Sequence, residues 1–325
     1  MPLIGRSLAA LGRHGPALLV LSLALGALLP GLAQAAYGAL PVSAFLLTLG
    51  SFLTAALSPA ERGLRGRTIL LVLAWLGLGV PLLAVVVLAP LQLDGALQAG
   101  VLLSVVAPPV GSAAAIAAIL GLRPRLALVA SISLTLLAPL AMPGCARLLG
   151  AHLDLDAASL ALRLGLIVGL AAALAEVVRR CPRAFAPMLP GPQAAAGISV
   201  LGLIVVGLAM MSGIRAHWAT NPDAFAWFLT AAVAVNLGLG VLGTGLFWAW
   251  GRADALTIGL LSGNRNVTLA WAAAGASLPA AAEAYVAACV LPVLALPLAV
   301  KGTLWLQGRL AAAFKPRAPR PAASA

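Results

Sequence analysis

Charge is what this sequence has least of: only 9% of its residues are Asp, Glu, Lys or Arg, against about a quarter in an ordinary soluble domain. Acidic residues are scarcer still, eight against twenty basic ones, leaving a formal net charge of +12. Three cysteines, Cys145, Cys181 and Cys289, lie far apart with no metal-ligand or redox spacing, so they read as small apolar packers. The three histidines, His14, His152 and His217, each fall in or beside a loop. With no clustered ligands, a metal centre is not expected, and with no nucleophile–base pair in the apolar runs neither is an enzyme.

What is abundant is hydrocarbon: 62% of the residues are hydrophobic, and the mean hydropathy is +1.08. That composition defines an integral, multi-pass membrane protein. In a soluble protein the basic excess would suggest nucleic acid. Here the basic residues collect in short loops between apolar runs, so the expected surroundings are lipid, with no nucleic acid and no obligate protein partner.

Ten apolar runs are long enough to cross about 30 Å of hydrocarbon at about 1.5 Å per residue. They lie near 16–34, 39–57, 68–90, 97–120, 126–149, 157–178, 194–213, 224–250, 255–276 and 281–300. The alternation of charge tests the count. Arg6 and Arg13, then Arg62, Arg65 and Arg67, Arg123 and Arg125, Arg179, Arg180 and Arg183, Arg252, and the tail from Lys301 onward all fall on one side. The opposite loops hold Asp94, Asp154, Asp156, Asp223 and Glu283, with Arg147 and Arg215 as the basic exceptions. By the positive-inside rule both termini are cytoplasmic, in what reads as a bacterial inner membrane. The first run, which ends in the cleavage-like LAQAAYG, is expected to stay as a spanning helix because nine further runs continue its topology.

An odd number of spans per half turns a repeated second half upside down, the plan of many secondary transporters. Residues 1–150 make the first five-helix repeat and 151–310 the second; the proline-rich Arg179–Gln193 stretch is the longest internal connection, and residues 311–325 form a basic tail expected to be disordered. The fourth run of each half carries an irregularity, APPVGSAAA at Ala107–Ala115 and SGNRNVTLA at Ser262–Ala270. Pro108 and Pro109 remove two helical donors, leaving carbonyls near Ser104 and Val105 without helical partners. Gly111 and Gly263 are read as giving the chain freedom to bend, and Asn264 and Asn266 as replacing lost helical bonds with their side chains. Broken backbone is tolerated at this depth only against protein or a wet cavity.

Arg265 is the sharpest feature, because a charge at the bilayer centre costs about 2.5–3.5 kcal/mol on insertion scales. No acidic residue shares its depth in the runs, so the guanidinium is expected to face an aqueous crevice and an anion. Candidate binding residues are Arg265, Asn264, Asn266, Gly263, Thr268, Ser112, Gly111, Pro109 and Asn236, the last the sole amide of the eighth run. Ser131 and Thr135, four apart on one helical face, and Ser262 are candidate ion ligands, although back-bonding to their own helix is the commoner fate of such hydroxyls. Arg163 is expected to snorkel to the headgroups.

The ten-run plan, the APPVGSAAA break followed by a short basic loop, and GNRN followed by small apolar residues resemble the bile acid:sodium symporter family, in particular its shorter bacterial members. The resemblance implies a panel domain of spans one, two, six and seven and a core domain of the remaining spans. In it the broken helices four and nine cross, and an organic anion binds between the domains. It also implies a Ser-Asn pair after the first break and a glutamate opening the second. Here those positions fall at Ala113 and Ala114, and at Leu261 or Ser262, while Arg265 stands where a glutamine is usual. A guanidinium repels a cation by about 4 kcal/mol at 4 Å and an effective dielectric of 20. The expectation is therefore a carrier of a small organic anion with no cofactor, in which sodium coupling is in doubt and a proton is the other coupling ion. A non-transporting sensor or channel with a static anion pocket is the alternative. Arsenite carriers would show a cysteine near the break and antiporters buried aspartates, and neither motif occurs in the sequence around it.

The topology is directly testable. A fluorescent protein fused after Ala325 should mature in cells, and alkaline phosphatase fused there should be inactive; the opposite pair of results would invert the orientation.

Overall fold

In the computed structural model the described residues are 3–57, 65–148, 156–274 and 278–293, all in helices and short connections. Arg62, Asp154 and the residues from 294 onward, including the basic tail, lie outside them. In chain order the helices are α1 (Leu3–Leu28), α2 (Pro30–Gly38), α3 (Leu40–Leu57), α4 (Gly66–Ala74), α5 (Val80–Leu88), α6 (Gly95–Val106), α7 (Ala113–Ile119), α8 (Pro124–Leu148), α9 (Ala157–Arg180) and α10 (Pro182–Phe185). They continue as α11 (Pro192–Thr220), α12 (Pro222–Leu246), α13 (Arg252–Gly263) and α14 (Val267–Ala274), and α15 (Ala280–Val293).

Six helical runs are long and apolar enough to cross a membrane: α3, α4–α5 with the turns around them, α8, α9, α11 and α12. A seventh is α1, bent by 81° between Leu3–Gly15 and Ala17–Leu28, at Pro16, which has no amide to donate. The other three of the ten expected runs take a different form. The fourth and ninth are each split into two short helices, α6 with α7 and α13 with α14, and the tenth is described only as far as Val293. Length and apolarity alone cannot register a helix pair of 12 and 7 residues as one crossing.

Helix α1 also begins earlier than its apolar run, because Leu8 and Ala9 pack on the main core cluster. The acids of the opposite loops do local work as well. Asp94 accepts from the amides of Ala96 and Leu97 at 3.1 and 3.4 Å to cap α6, and Asp156 accepts from Ala158 and Ser159 at 3.2 and 3.0 Å to cap α9. Each satisfies donors that a helix start leaves open. Arg163 is exposed, and its Nη1 donates to the Ala273 and Ala274 carbonyls, both at 3.3 Å, where the last carbonyls of α14 need donors.

Two groups emerge from the packing. Helices α1 and α3 lie along α11, and α9 lies on α3. Helix α12 lies along α13, α7 packs on α8, and α6 packs on α5 and α8. The groups meet where α8 lies on α9, and along α14, which touches α3 and α9 on one side and α6 on the other. Tyr37 of α2 donates to Glu283 Oε1 of α15 and meets the Trp271 ring edge-on at 5.8 Å; burial first, then that carboxylate, pushes its phenol up to about 12.

Close approach at the second break depends on a missing side chain. Gly263 has no positive φ, so the expected conformational freedom is not its role; a Cβ there would collide with the Asn236 backbone carbonyl of α12. Gly263→Ala should therefore lower stability by about 1–3 kcal/mol through overpacking, read as a fall in Tm in detergent. An unchanged Tm would show that α12 and α13 can separate freely.

Candidate functional site

The site begins with two interruptions. Helix α6 stops at Val106, and α13 stops at Gly263. The extended residues that follow cross one another, with Pro109 and Arg265 forming an antiparallel bridge. The Val110 amide donates to the Asn264 carbonyl at 2.9 Å, and the Asn266 amide donates to the Pro108 carbonyl at 2.7 Å. Each break thus supplies partners to the other, as buried backbone demands. Asn236 completes the arrangement from α12, its Nδ2 donating to the Gly263 carbonyl at 2.7 Å. Asn266 Oδ1 accepts from the Leu269 amide at 3.2 Å and so caps α14.

Arg265 is 3% exposed. Its Nη2 donates to the Leu76 carbonyl at 2.7 Å, while Nε and Nη1 have no hydrogen-bond partner. The ion pairs among the described residues are Arg123–Asp254, Arg179–Glu176 and Arg180–Glu176, and none involves Arg265. The accepting carbonyl exists because Trp75–Gly79 forms a π-helical turn, whose wider register frees backbone acceptors. Beside it the Trp75 indole donates to Ser262 Oγ at 2.8 Å, and Ser262 donates to the Ile258 carbonyl at 2.8 Å.

Two small cavities flank the crossing. The larger, about 20 Å³, is bordered by Arg265, Asn236, Ser104, Tyr285 and Cys289 among aliphatic side chains. Its walls come from α6, α12, α15 and the second break with the adjoining ends of α13 and α14. The smaller, about 10 Å³, is bordered by Thr48 and Ser51 of α3, by Ser131 and Thr135 of α8, and by Gly111 and Asn266. It lies where α3 meets the other group.

The sequence-derived candidates thus separate. Arg265, Asn236 and Gly263 border the larger cavity; Gly111, Asn266, Ser131 and Thr135 border the smaller. Pro109 serves the backbone bridge. Ser112, Thr268 and Asn264 border neither cavity, and both polar atoms of the Asn264 side chain lack partners, against the expectation that it would replace a helical bond. Ser262 borders neither cavity; its Oγ accepts from Trp75 and donates to the Ile258 carbonyl. Ser131 Oγ, expected to bond back to its own helix, has no partner. Gly111 has no positive φ; its absent side chain makes room for Ser51.

The wide aqueous crevice expected at Arg265 is closed. A water needs about 10–15 Å³ by this measure, so neither cavity, at about 20 and about 10 Å³, admits an organic anion as it stands. Sequence reasoning missed Tyr285, Ser104 and the α3 hydroxyls, and it placed no cysteine near the break. Scarcity was the available signal for Tyr285, one of two tyrosines in the chain. Cys289 lies four residues further on, one helical turn away. A scan of protein-family models matches none to this chain, and a search of curated proteins returns no match.

A buried guanidinium with no opposing charge destabilises the fold it sits in. Arg265→Met, assayed in gluconate buffer without small anions, should raise Tm by the equivalent of about 1–4 kcal/mol. A fall in Tm would mean that the Leu76 hydrogen bond outweighs desolvation of the charge.

Proposed function

We propose that the chain is a secondary carrier of a small organic anion, built as two inverted five-helix halves, residues 1–150 and 151–310. In this reading α1, α3, α9 and α11 are the panel, the remaining spans are the core, and the two groups move against each other. The matching positions of the helix breaks in the two halves support it, as does the packing of α1 and α3 along α11 and of α12 along α13. The observation that carries the proposal is Arg265: a buried guanidinium at the crossing of two interrupted helices, with one hydrogen bond and no ion pair among the described residues.

The mechanism follows from charge. Arg265 borders the larger cavity, while Ser131 and Asn266 of the core face the α3 hydroxyls of the panel across the smaller one. An anion entering between the groups would meet hydroxyl and amide donors with a fixed positive charge behind them. In sodium-driven relatives of the resembled family, sodium brings that charge; here the side chain supplies it permanently. Transport is then facilitated or proton-linked. The small size of both cavities favours one other reading, a static anion sensor.

Counterflow in proteoliposomes separates the two. Wild-type protein loaded with short-chain carboxylates should exchange labelled substrate equally in sodium and choline buffers. Arg265→Gln should lose about tenfold or more of that activity, as expected when a charge-assisted contact is removed. Strict dependence on a sodium gradient would overturn the coupling proposal. Thermal stabilisation by a carboxylate, about 2.7 kcal/mol at a hundred times its Kd, without any counterflow would favour the sensor.

A further inference from the structure

The larger cavity has its own chemistry, separate from the interface with α3. Arg265 borders it and leaves Nε and Nη1 unpaired. Tyr285 borders it too, fully buried, and its hydroxyl lies beside Ser104 and Cys289 without reaching hydrogen-bond geometry with either. The Ser104 hydroxyl spends its own proton on the Val101 carbonyl at 2.7 Å. Aliphatic groups such as Val105, Val235 and Leu239 line the space, and among the described residues no carboxylate borders it.

Each of these facts narrows the guest. Unpaired buried donors normally find a partner, and an unpaired buried cation calls for negative charge, which a water molecule does not bring. A volume of about 20 Å³ is on the scale of one small guest, since a single water takes roughly 10–15 Å³, and is too small for a carbon skeleton of several atoms. What remains is an anion of one atom. We propose that this cavity binds chloride, held by the guanidinium of Arg265 and the phenol of Tyr285, as the counter-ion of the buried charge. Binding needs no motion of one helix group against the other, so it does not depend on the transport reading.

The test uses the full chain purified in sodium gluconate, with Cys145→Ser and Cys181→Ser leaving Cys289 as the one thiol. Sodium chloride or bromide then replaces gluconate at constant sodium and ionic strength, while Tm and the rate of Cys289 labelling by a small maleimide are followed. Both halides should raise Tm saturably and slow labelling several-fold. Tyr285→Phe should weaken the apparent chloride affinity by about tenfold, the loss of one hydrogen bond to a charged partner, and Arg265→Gln should abolish the response. Where Arg265→Gln does not fold, Tyr285→Phe and the labelling rate decide alone. A response that is unsaturable, or unchanged in Tyr285→Phe, overturns the proposal. Organic-anion counterflow that persists in chloride-free liposomes while halides fail to bind removes the chloride site and leaves the carrier standing; saturable halide binding with no counterflow does the reverse.

Discussion

Two helices stop inside the apolar body of this protein, and what makes that possible is that they stop against each other. Hydrocarbon offers no partner for a free amide or carbonyl, so each lost bond must be replaced within the protein. The bonds from Val110 to Asn264 and from Asn266 to Pro108 do so across the crossing, and Asn236 ties down the Gly263 carbonyl. Everything else near the site follows from that exchange. Gly263 and Gly111 carry no side chain because the strands of the crossing press against Asn236 and Ser51, and the π turn at Trp75–Gly79 offers the carbonyl that holds Arg265.

The guanidinium is an exception to this rule of mutual satisfaction. The backbone of Pro108 and Val110 is bonded to that of Asn264 and Asn266, whereas among the described residues Nε and Nη1 of Arg265, both side-chain atoms of Asn264, and the hydroxyls of Ser131 and Tyr285 are left open. Leaving a buried polar group unmade costs about 1–3 kcal/mol, more when it is charged. Concentrating several such groups in one small region is the pattern of a site that awaits a partner. That the open groups fall on both sides of the crossing, one set against α3 and one among α6, α12 and α15, gives the region two faces with different access.

Much of this was legible from one-dimensional signals. Low charge and long apolar runs mark a helical membrane protein, and the odd residues Pro108, Pro109 and Arg265 mark the places where helices break. The roles of particular side chains were less legible. The sequence does not show that Ser262 accepts from Trp75, or that Arg163 also donates to the end of α14. In each case a long-range partner, invisible in the local sequence, decides the outcome.

By itself the sequence determined the solvent this chain is built for, the positions of the breaks, and the presence of a single charge where hydrocarbon should be, because these depend on composition and local backbone chemistry. Only the tertiary structure decided what that charge touches. Whether a donor is paired depends on which helix passes within 3 Å or so of it, and that is set by packing between residues such as Leu76 and Arg265, 189 positions apart.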